Sequence, residues 1–240
     1  MKILTVDQIA EADAYTIKHE PVASVDLMER AGNNCFQWIY ERLTPGYKIM
    51  VYTGVGNNGG DGMVIARLLA EKDVDTQVIV LKFSDKLSED AQRNLDLLYK
   101  QKKVSVKIVT EEQYIPAPGS GTLVVDAIFG SGLGRPVRGL PGKAIEKINR
   151  SEALVVAVDI PSGMYADKYT DENEGKVIHA TYTLSLQMPK LAMMMPESAR
   201  FVGEMHVIPI GLHPGYLNSV DATYQRLDEK YENCHYIRHT

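Results

Sequence analysis

Lys48-Ile49-Met50-Val51-Tyr52-Thr53, then Gly54-Val55-Gly56-Asn57-Asn58-Gly59-Gly60-Asp61-Gly62, then Met63-Val64-Ile65-Ala66-Arg67-Leu68-Leu69-Ala70 is the stretch that decides the fold. A short apolar run passes through a glycine-rich turn into a helical pattern. Glycine permits positive φ and lets another group approach the backbone closely. A turn of this kind aims free N–H groups and the positive end of a helix dipole at one spot, which suits a phosphate. Ligands of open parallel sheets bind beyond the carboxyl ends of the strands. The strand–loop–helix context therefore favours a ligand site over a plain turn in which Asp61 only caps the following helix.

Outward from this segment, short apolar runs recur at 76–82, 104–109, 122–126 and 153–159, with helical patterns at 61–72, 88–101 and 141–149. Near-continuous apolar strands alternating with amphipathic helices predict βαβ units around a parallel sheet buried on both faces. Further strands are expected at 181–187 and 205–210. Upstream, Thr5-Val6-Asp7-Gln8 has the form of a capping box and predicts a helix over about 6–18. Ser24 is a candidate cap for a second helix, in which Leu27, Ala31, Cys35 and Trp38 recur at helical spacing. Gly32 inside that pattern costs ~1 kcal/mol relative to alanine. The fold expected is an α/β, Rossmann-like three-layer α/β/α sandwich with a mostly parallel central sheet, as one domain over 1–215. A tail over 216–240 reads as partly helical.

The composition narrows the classes. At 240 residues, with 45% hydrophobic and 24% charged residues, the chain is ordinary globular material. Its net charge of −5 argues against a whole-chain basic footprint for nucleic acid. Two cysteines, Cys35 and Cys234, are too few for a disulfide framework and suit a reducing compartment. No run reaches the ~20 apolar residues a bilayer span needs, and no signal peptide is visible, so a cytoplasmic location is expected.

Two more strand ends carry a carboxylate followed by a special turn. One is Asp126-Ala127-Ile128-Phe129-Gly130-Ser131-Gly132-Leu133-Gly134-Arg135-Pro136, the other Asp159-Ile160-Pro161-Ser162-Gly163. A strand-end Asp often caps a helix or pins a loop, yet in a parallel sheet Asn58, Asp126, Asp159 and Ser162 share one edge, which points to a polar site. The loop departs from the dinucleotide fingerprint, and Lys82-Phe83-Ser84 stands where an acidic residue would hold a ribose, which disfavours ordinary hydride transfer. Arg135 and Arg138 read equally as phosphate-steering groups or surface ion-pair partners. Met188 and Met193-Met194-Met195 read as adaptable packing. His235 and His239 have metal-ligand spacing beside Cys234 but no third ligand, and Ser162 has no evident His partner for nucleophilic catalysis.

Together these segments resemble the YjeF N-terminal domain family of NAD(P)H-hydrate epimerases. The resemblance rests on 27–32 (Leu27-Met28-Glu29-Arg30-Ala31-Gly32), 54–62, 126–130, 135–139 and 159–163, with Thr181, Thr183, Lys190 and Pro209-Ile210-Gly211 in support. It runs in order over about 5–213. It implies interconversion of the R and S forms of NADH and NADPH hydrated at C6 of the nicotinamide ring (NADHX and NADPHX), so that a separate S-specific dehydratase can restore the cofactor. It further implies a homodimer, substrate contacts from Asn57, Asn58, Gly59, Gly60, Asp61, Gly130, Ser131, Gly132, Leu133, Gly134, Arg135, Pro136 and Asp159, and a potassium ion (K+) held by Asn58, Asp126 and Ser162. An amide oxygen, a hydroxyl and one carboxylate suit a large monovalent cation better than Mg2+. Asp159 is the candidate acid/base group, with binding alone as its other role. The sequence departs from the family at Glu20-Pro21, where a glycine is common, and over the charged stretch 164–175 at the rim of the expected site. With no dehydratase-type domain following, the chain alone is expected not to repair the S form. A non-catalytic scaffold of the same fold is the competing reading, but it has no reason to keep Asn58, Asp126, Asp159 and Ser162 together.

Overall fold

The computed structural model describes residues 1–20 and 22–226; Pro21, Cys234, His235 and His239 lie outside the described residues. The chain begins with a two-residue strand, β1 (Lys2–Ile3), after which Thr5 starts α1 (Val6–His19) through the expected box. The Gln8 N–H donates to Thr5 Oγ1 at 3.3 Å and the Thr5 N–H to Gln8 Oε1 at 3.1 Å. The second helix, α2 (Ser24–Arg42), corrects the expected cap. Ser24 is already inside it, and its hydroxyl donates to Asp90 instead, at 2.6 Å. Asp26 takes over by accepting the Ala23 N–H at 3.3 Å.

The core elements follow the predicted alternation: β2 (Lys48–Thr53), α3 (Asn57–Glu71), β3 (Thr76–Leu81), α4 (Glu89–Gln101), β4 (Ser105–Val109), β5 (Thr122–Ala127), α5 (Gly139–Asn149) and β6 (Leu154–Val158). After them come β7 (Tyr182–Leu186), the short α6 (Ala199–Val202), β8 (Glu204–Ile208), α7 (Pro214–Ser219) and β9 (Tyr224–Gln225). Seven strands form one sheet in the order β4-β3-β2-β5-β6-β7-β8, and every pairing is parallel. The small antiparallel pair β1–β9 stands apart from it.

Apolar faces on both sides of the sheet explain the layering. Cys35, Phe36, Met63, Leu69, Leu95 and Leu98 from α2, α3 and α4 cover Val51, Val78, Val125 and Val156. On the other face Ala144, Ile145 and Ile148 of α5 cover Ile79, Val124, Val155 and Ala157. α1 and α7 pack together near the carboxyl end of β8 through Leu4, Ala12, Ile210 and Leu212, joined by Tyr216 and Leu217. Among the described residues no helix is long and apolar enough to cross a membrane.

The helix after β2 begins four residues earlier than the sequence pattern suggests, at Asn57. The glycines of this run serve the protein's own packing, and none of them has positive φ. A Cβ on Gly54 would lie 2.1 Å from Ile128 O, one on Gly60 2.5 Å from Met28 Sδ, and one on Gly62 2.5 Å from Ala127 Cβ. Gly32 of α2 likewise faces Val64 of α3, where a Cβ would meet Cγ1 at 2.5 Å. These near-contacts let α3 descend onto β2, β5 and α2 with almost no intervening side chain. The Arg67 guanidinium closes the α2–α3 contact by bonding both oxygens of Glu29 at 2.5 Å. Arg30 ties α2 to the far end of the domain, its Nη1 donating to Ile210 O at 3.2 Å and Gly211 O at 2.9 Å.

Candidate functional site

The strand order reverses between β2 and β5, where crossovers leave in opposite directions and open a crevice beyond the carboxyl ends of the strands. A cleft of about 610 Å3 occupies that place. Asn57, Asn58 and Asp61 of α3 line it, as do Gly130, Ser131, Gly132, Leu133, Gly134, Arg135 and Asp159. The first helical bond of this turn runs from Gly60 N–H to Gly56 O at 3.3 Å, so the amides of Asn57, Asn58 and Gly59 precede the ladder. Gly56 also lines the cleft, with open space where a Cβ would be. Gly59 and Gly60, included in the sequence-based set, do not line it: Gly59 packs on Gly54 O and Gly60 on Met28. Pro136 lies on a neighbouring hollow with Phe83 and Leu140.

Asp159 sits at the floor. It follows β6 in a left-handed conformation, φ +70°, which an Asp tolerates better than most residues. Its own N–H donates to Leu184 O at 2.8 Å and holds this turn against β7. Oδ2 accepts the Ser131 N–H at 2.9 Å, and Oδ1 lies 2.5 Å from Lys190 Nζ. Lys190 is 1% exposed, and its ammonium also donates to Leu186 O, Ser185 Oγ and Met188 O at 3.0–3.2 Å. Burial alone would push the Asp159 carboxyl up, but the Lys190 charge and hydrogen bond, with the Ser131 amide, outweigh it and hold the group below its usual range.

Two further carboxyls share the cleft and titrate the other way. Asp61, 7% exposed, accepts no hydrogen bond from any described residue. Burial, with the charges of Asp159, Asp13 and Asp90, lifts it well above the usual carboxylate range. Asp13 of α1 is pushed up to about 6 by burial and by Asp159, against the opposing pull of Lys190. The site thus holds one firmly ionised carboxylate beside two whose burial makes them hold a proton more tightly than usual, an arrangement suited to acid–base work.

Asp126 and Ser162 lie beneath the cleft and do not line it. Asp126 is fully buried; Oδ1 accepts from Ser162 Oγ at 2.6 Å and from the Ile128 N–H at 3.3 Å, and Oδ2 from the Ser162 N–H at 2.8 Å. The Phe129 N–H donates to Ser162 Oγ at 2.8 Å, which connects this pair to Gly130. A Cβ on Gly130 would lie 3.3 Å from Asn58 Cβ and 3.1 Å from Asp159 Oδ2. Burial pushes Asp126 up to about 6, its three hydrogen bonds resisting, and no described Lys or Arg pairs with it.

The family pattern described as YjeF-related protein N-terminus matches residues 24–192. The chain belongs to the YjeF N-terminal family. It is similar to the NAD(P)H-hydrate epimerase of Lentilactobacillus buchneri, 35% identical over 219 residues that cover 88% of this chain and 95% of that protein. The NAD(P)H-hydrate epimerase of Rhodopirellula baltica is 32% identical, covering 87% and 84%. The bifunctional NAD(P)H-hydrate repair enzyme Nnr of Thermofilum pendens is 35% identical over 86% of this chain but 40% of its own length. The chain thus spans about two fifths of the bifunctional relatives it matches. The crystal structure of yeast ynu0, YNL200c, superposes with a TM-score of 0.70 at 26% identity, covering 86% of this chain and 87% of that one.

Within this YjeF N-terminal domain, the motifs that carried the resemblance divide between packing and cleft. The segment 27–32 and Ile210-Gly211 meet through Arg30 and serve the scaffold. The stretch 164–175 contributes no cleft residue; Met164 and Ala166 are buried in an apolar cluster with Ile160, Val177 and Phe201. Arg135 reaches the cleft, whereas Arg138 Nε donates to Glu174 O at 3.1 Å outside it. Met188 lines the cleft, Met193 is buried in the packing and Met194 is exposed. Asp13 and the ion-pairing role of Lys190 are absent from the sequence-based set. Asp13 sits in an ordinary amphipathic pattern, and Lys190 shows its partner only once β6 and β7 are adjacent. Apolar walls from Val6, Ile9, Phe83, Phe129 and Leu212 complete the cleft.

Proposed function

We propose that this protein is an NAD(P)H-hydrate epimerase that interconverts the R and S forms of hydrated NADH and NADPH. The observation that carries the reading is the buried Asp159–Lys190 pair at the floor of the topological-switch cleft, beside carboxyls that burial and neighbouring charge raise above their usual range. Inversion at C6 requires the hydroxyl to be protonated as it leaves and water to be deprotonated as it returns. A low-pKa carboxylate and a high-pKa carboxyl supply those two tasks at one pH.

The other cleft residues bind. The amides of Asn57 and Asn58 at the start of α3 meet the pyrophosphate, where the helix dipole favours negative charge, and Arg135 adds a charge from the facing loop. Asp61, raised by burial and by the neighbouring carboxyl charges, offers an O–H donor to a polar group of the substrate in its protonated form. The glycine-rich segment 130–134 lies along the cofactor, with Gly132 and Gly134 open toward space a side chain would fill. A homodimer working with a separate S-specific dehydratase completes the reading, and the name of the bifunctional relatives agrees with that coupling.

Asn58, Asp126 and Ser162 fit a monovalent cation. Asp126 is a buried carboxylate without a basic partner among the described residues, and Asn58 Nδ2 is buried without a hydrogen-bond partner. Rotating that amide puts Oδ1 where the nitrogen lies. An amide oxygen, a hydroxyl and one carboxylate form an all-oxygen set of low charge, for which K+ is our assignment. When bound, the ion supplies positive charge against the substrate phosphates. KCl is therefore expected to raise the Tm relative to choline chloride at equal ionic strength. Ten times the Kd would contribute about 1.4 kcal/mol, or ~3–6 °C for a chain of this size. Asp126→Asn should abolish the difference, and equal melting in both salts would remove the ion from this account.

The function itself is tested by mixing R and S NADHX with an S-specific dehydratase. Adding this protein should bring NADH recovery beyond the S fraction, faster than spontaneous epimerisation. Recovery that stops at the S fraction, or proceeds at the spontaneous rate, rejects the activity.

A further inference from the structure

The proposed chemistry leaves a geometric problem at C6. The C–O bond that breaks lies on one face of the nicotinamide ring and the bond that forms lies on the other. Asp159 is pinned between Lys190 and the Ser131 amide and cannot move from face to face. A single fixed carboxylate serves one face.

A second proton carrier is present. Asp13 enters the cleft from α1, on the same wall as Val6, Ile9 and Ala10, whereas Asp159 rises from the end of β6. Its carboxyl accepts no hydrogen bond and makes no ion pair with a described residue. An acidic side chain placed near two other carboxyls without a cation of its own costs stability, so packing gives no reason for it. The groups facing Asp13 are Asp159 at the sheet edge, Lys190 beyond β7 and Asp61 on α3, and Arg135 lies on the same cleft. Of these, Asp159 carries the negative charge and Lys190 is already engaged by it.

We propose that Asp13 is the second acid–base group of the epimerisation, serving the ring face opposite the one Asp159 serves. The proposal rests on the epimerase reading above. In one direction the Asp13 carboxyl gives its proton to the C6 hydroxyl as the C6–O bond breaks. The lone pair of the ring nitrogen forms the N1=C6 double bond, and water leaves. A second water attacks C6 from the Asp159 side, the π pair returns to nitrogen, and the proton of that water passes to the Asp159 carboxylate. One water leaves and one is added, and one proton moves from Asp13 to Asp159; the reverse direction runs the same steps backward. The proton distribution needed at the start, on Asp13 and off Asp159, is the one the two environments favour.

The test is Asp13→Asn, which keeps the shape of the side chain. In a chiral assay the epimerisation rate should fall by ~10²–10⁴-fold, with KM for the hydrate changed less than ~3-fold, as expected when an interaction of the transition state alone is removed. For the direction that starts with Asp13 protonated, the wild-type rate should decline as pH rises through the Asp13 pKa. The residual rate of the variant should lack that decline. In 18O-water each inversion should place one solvent oxygen at C6. A variant at the wild-type rate, a slowed variant with the wild-type pH profile, or inversion with retention of the original oxygen overturns the proposal. Each of these requires that the wild type accelerate epimerisation; if it does not, the epimerase reading fails first, and the two failures are told apart.

Discussion

Replacing Lys190 with methionine is expected to lower epimerisation by ~10²–10⁴-fold and to destabilise the fold by ~3–5 kcal/mol at pH 8. Methionine keeps the length and the apolar stem but leaves Asp159 as a buried charge that has lost its cation and keeps only its hydrogen bonds to Ser131 among the described residues. In the wild type the Asp159 carboxyl is held below its usual 3.8, so the stability it contributes is present above that value and is lost only as pH falls through the lowered one. Without Lys190 the burial effect prevails and the group rises above its unfolded value. Its sign then reverses, and stability is lost as pH rises through the raised pKa. The penalty of the substitution should therefore shrink when urea unfolding is repeated at pH 5, where protonation removes the unpaired charge. A penalty equal at pH 5 and pH 8 would mean that Lys190 contributes packing alone.

Gly54→Ala is expected to cost about 3 kcal/mol or more, an extreme case of overpacking, and to lower the Tm by ~6–12 °C. The new methyl would sit 2.1 Å from Ile128 O. Neither side yields easily, since the Gly54 N–H is bonded to Ala127 O at 3.1 Å and the β2–β5 register continues to the adjacent pair Thr53 and Ala127. Gly56→Ala is the control two residues away: it meets open space, so its Tm should stay near the wild type. Because Gly56 lines the cleft, that variant should act on substrate binding instead. If both variants melt alike, the close approach of Gly54 to Ile128 is not what makes glycine necessary there.

Much of the sheet was legible because its strands are buried on both faces and so appear as continuous apolar runs. The run at 48–53 coincides with β2, and those at 76–82 and 122–126 differ from β3 and β5 by one residue. Alternation with amphipathic helices was enough to predict parallel pairing, since parallel neighbours need a crossover. The start of α3 was less legible. Glycines at 59, 60 and 62 suggest a loop by propensity, but here they lie in the helix because only hydrogen-sized side chains allow it to touch Gly54, Met28 and Ala127. The Ser24 cap failed for a related reason: several residues can cap a helix, and the choice between Ser24 and Asp26 depends on Asp90, far along the chain.

The amino-acid sequence by itself determined the α/β class, the glycine turn at a strand end and the family, because these reside in local pattern and contiguous motif. It also placed Asp126, Asp159 and Ser162 at strand ends, where one sheet edge collects them. What the tertiary structure alone decided is which carboxyls hold a proton more tightly than usual and which less. Asp159 is ionised because Lys190, thirty-one positions later, folds back under β7; Asp13 and Asp61 are raised because α1 and α3 bring them into the same buried cleft as that charge. Charge and desolvation act through space over a few ångströms, and no periodicity along the chain records which distant residue will fill that distance.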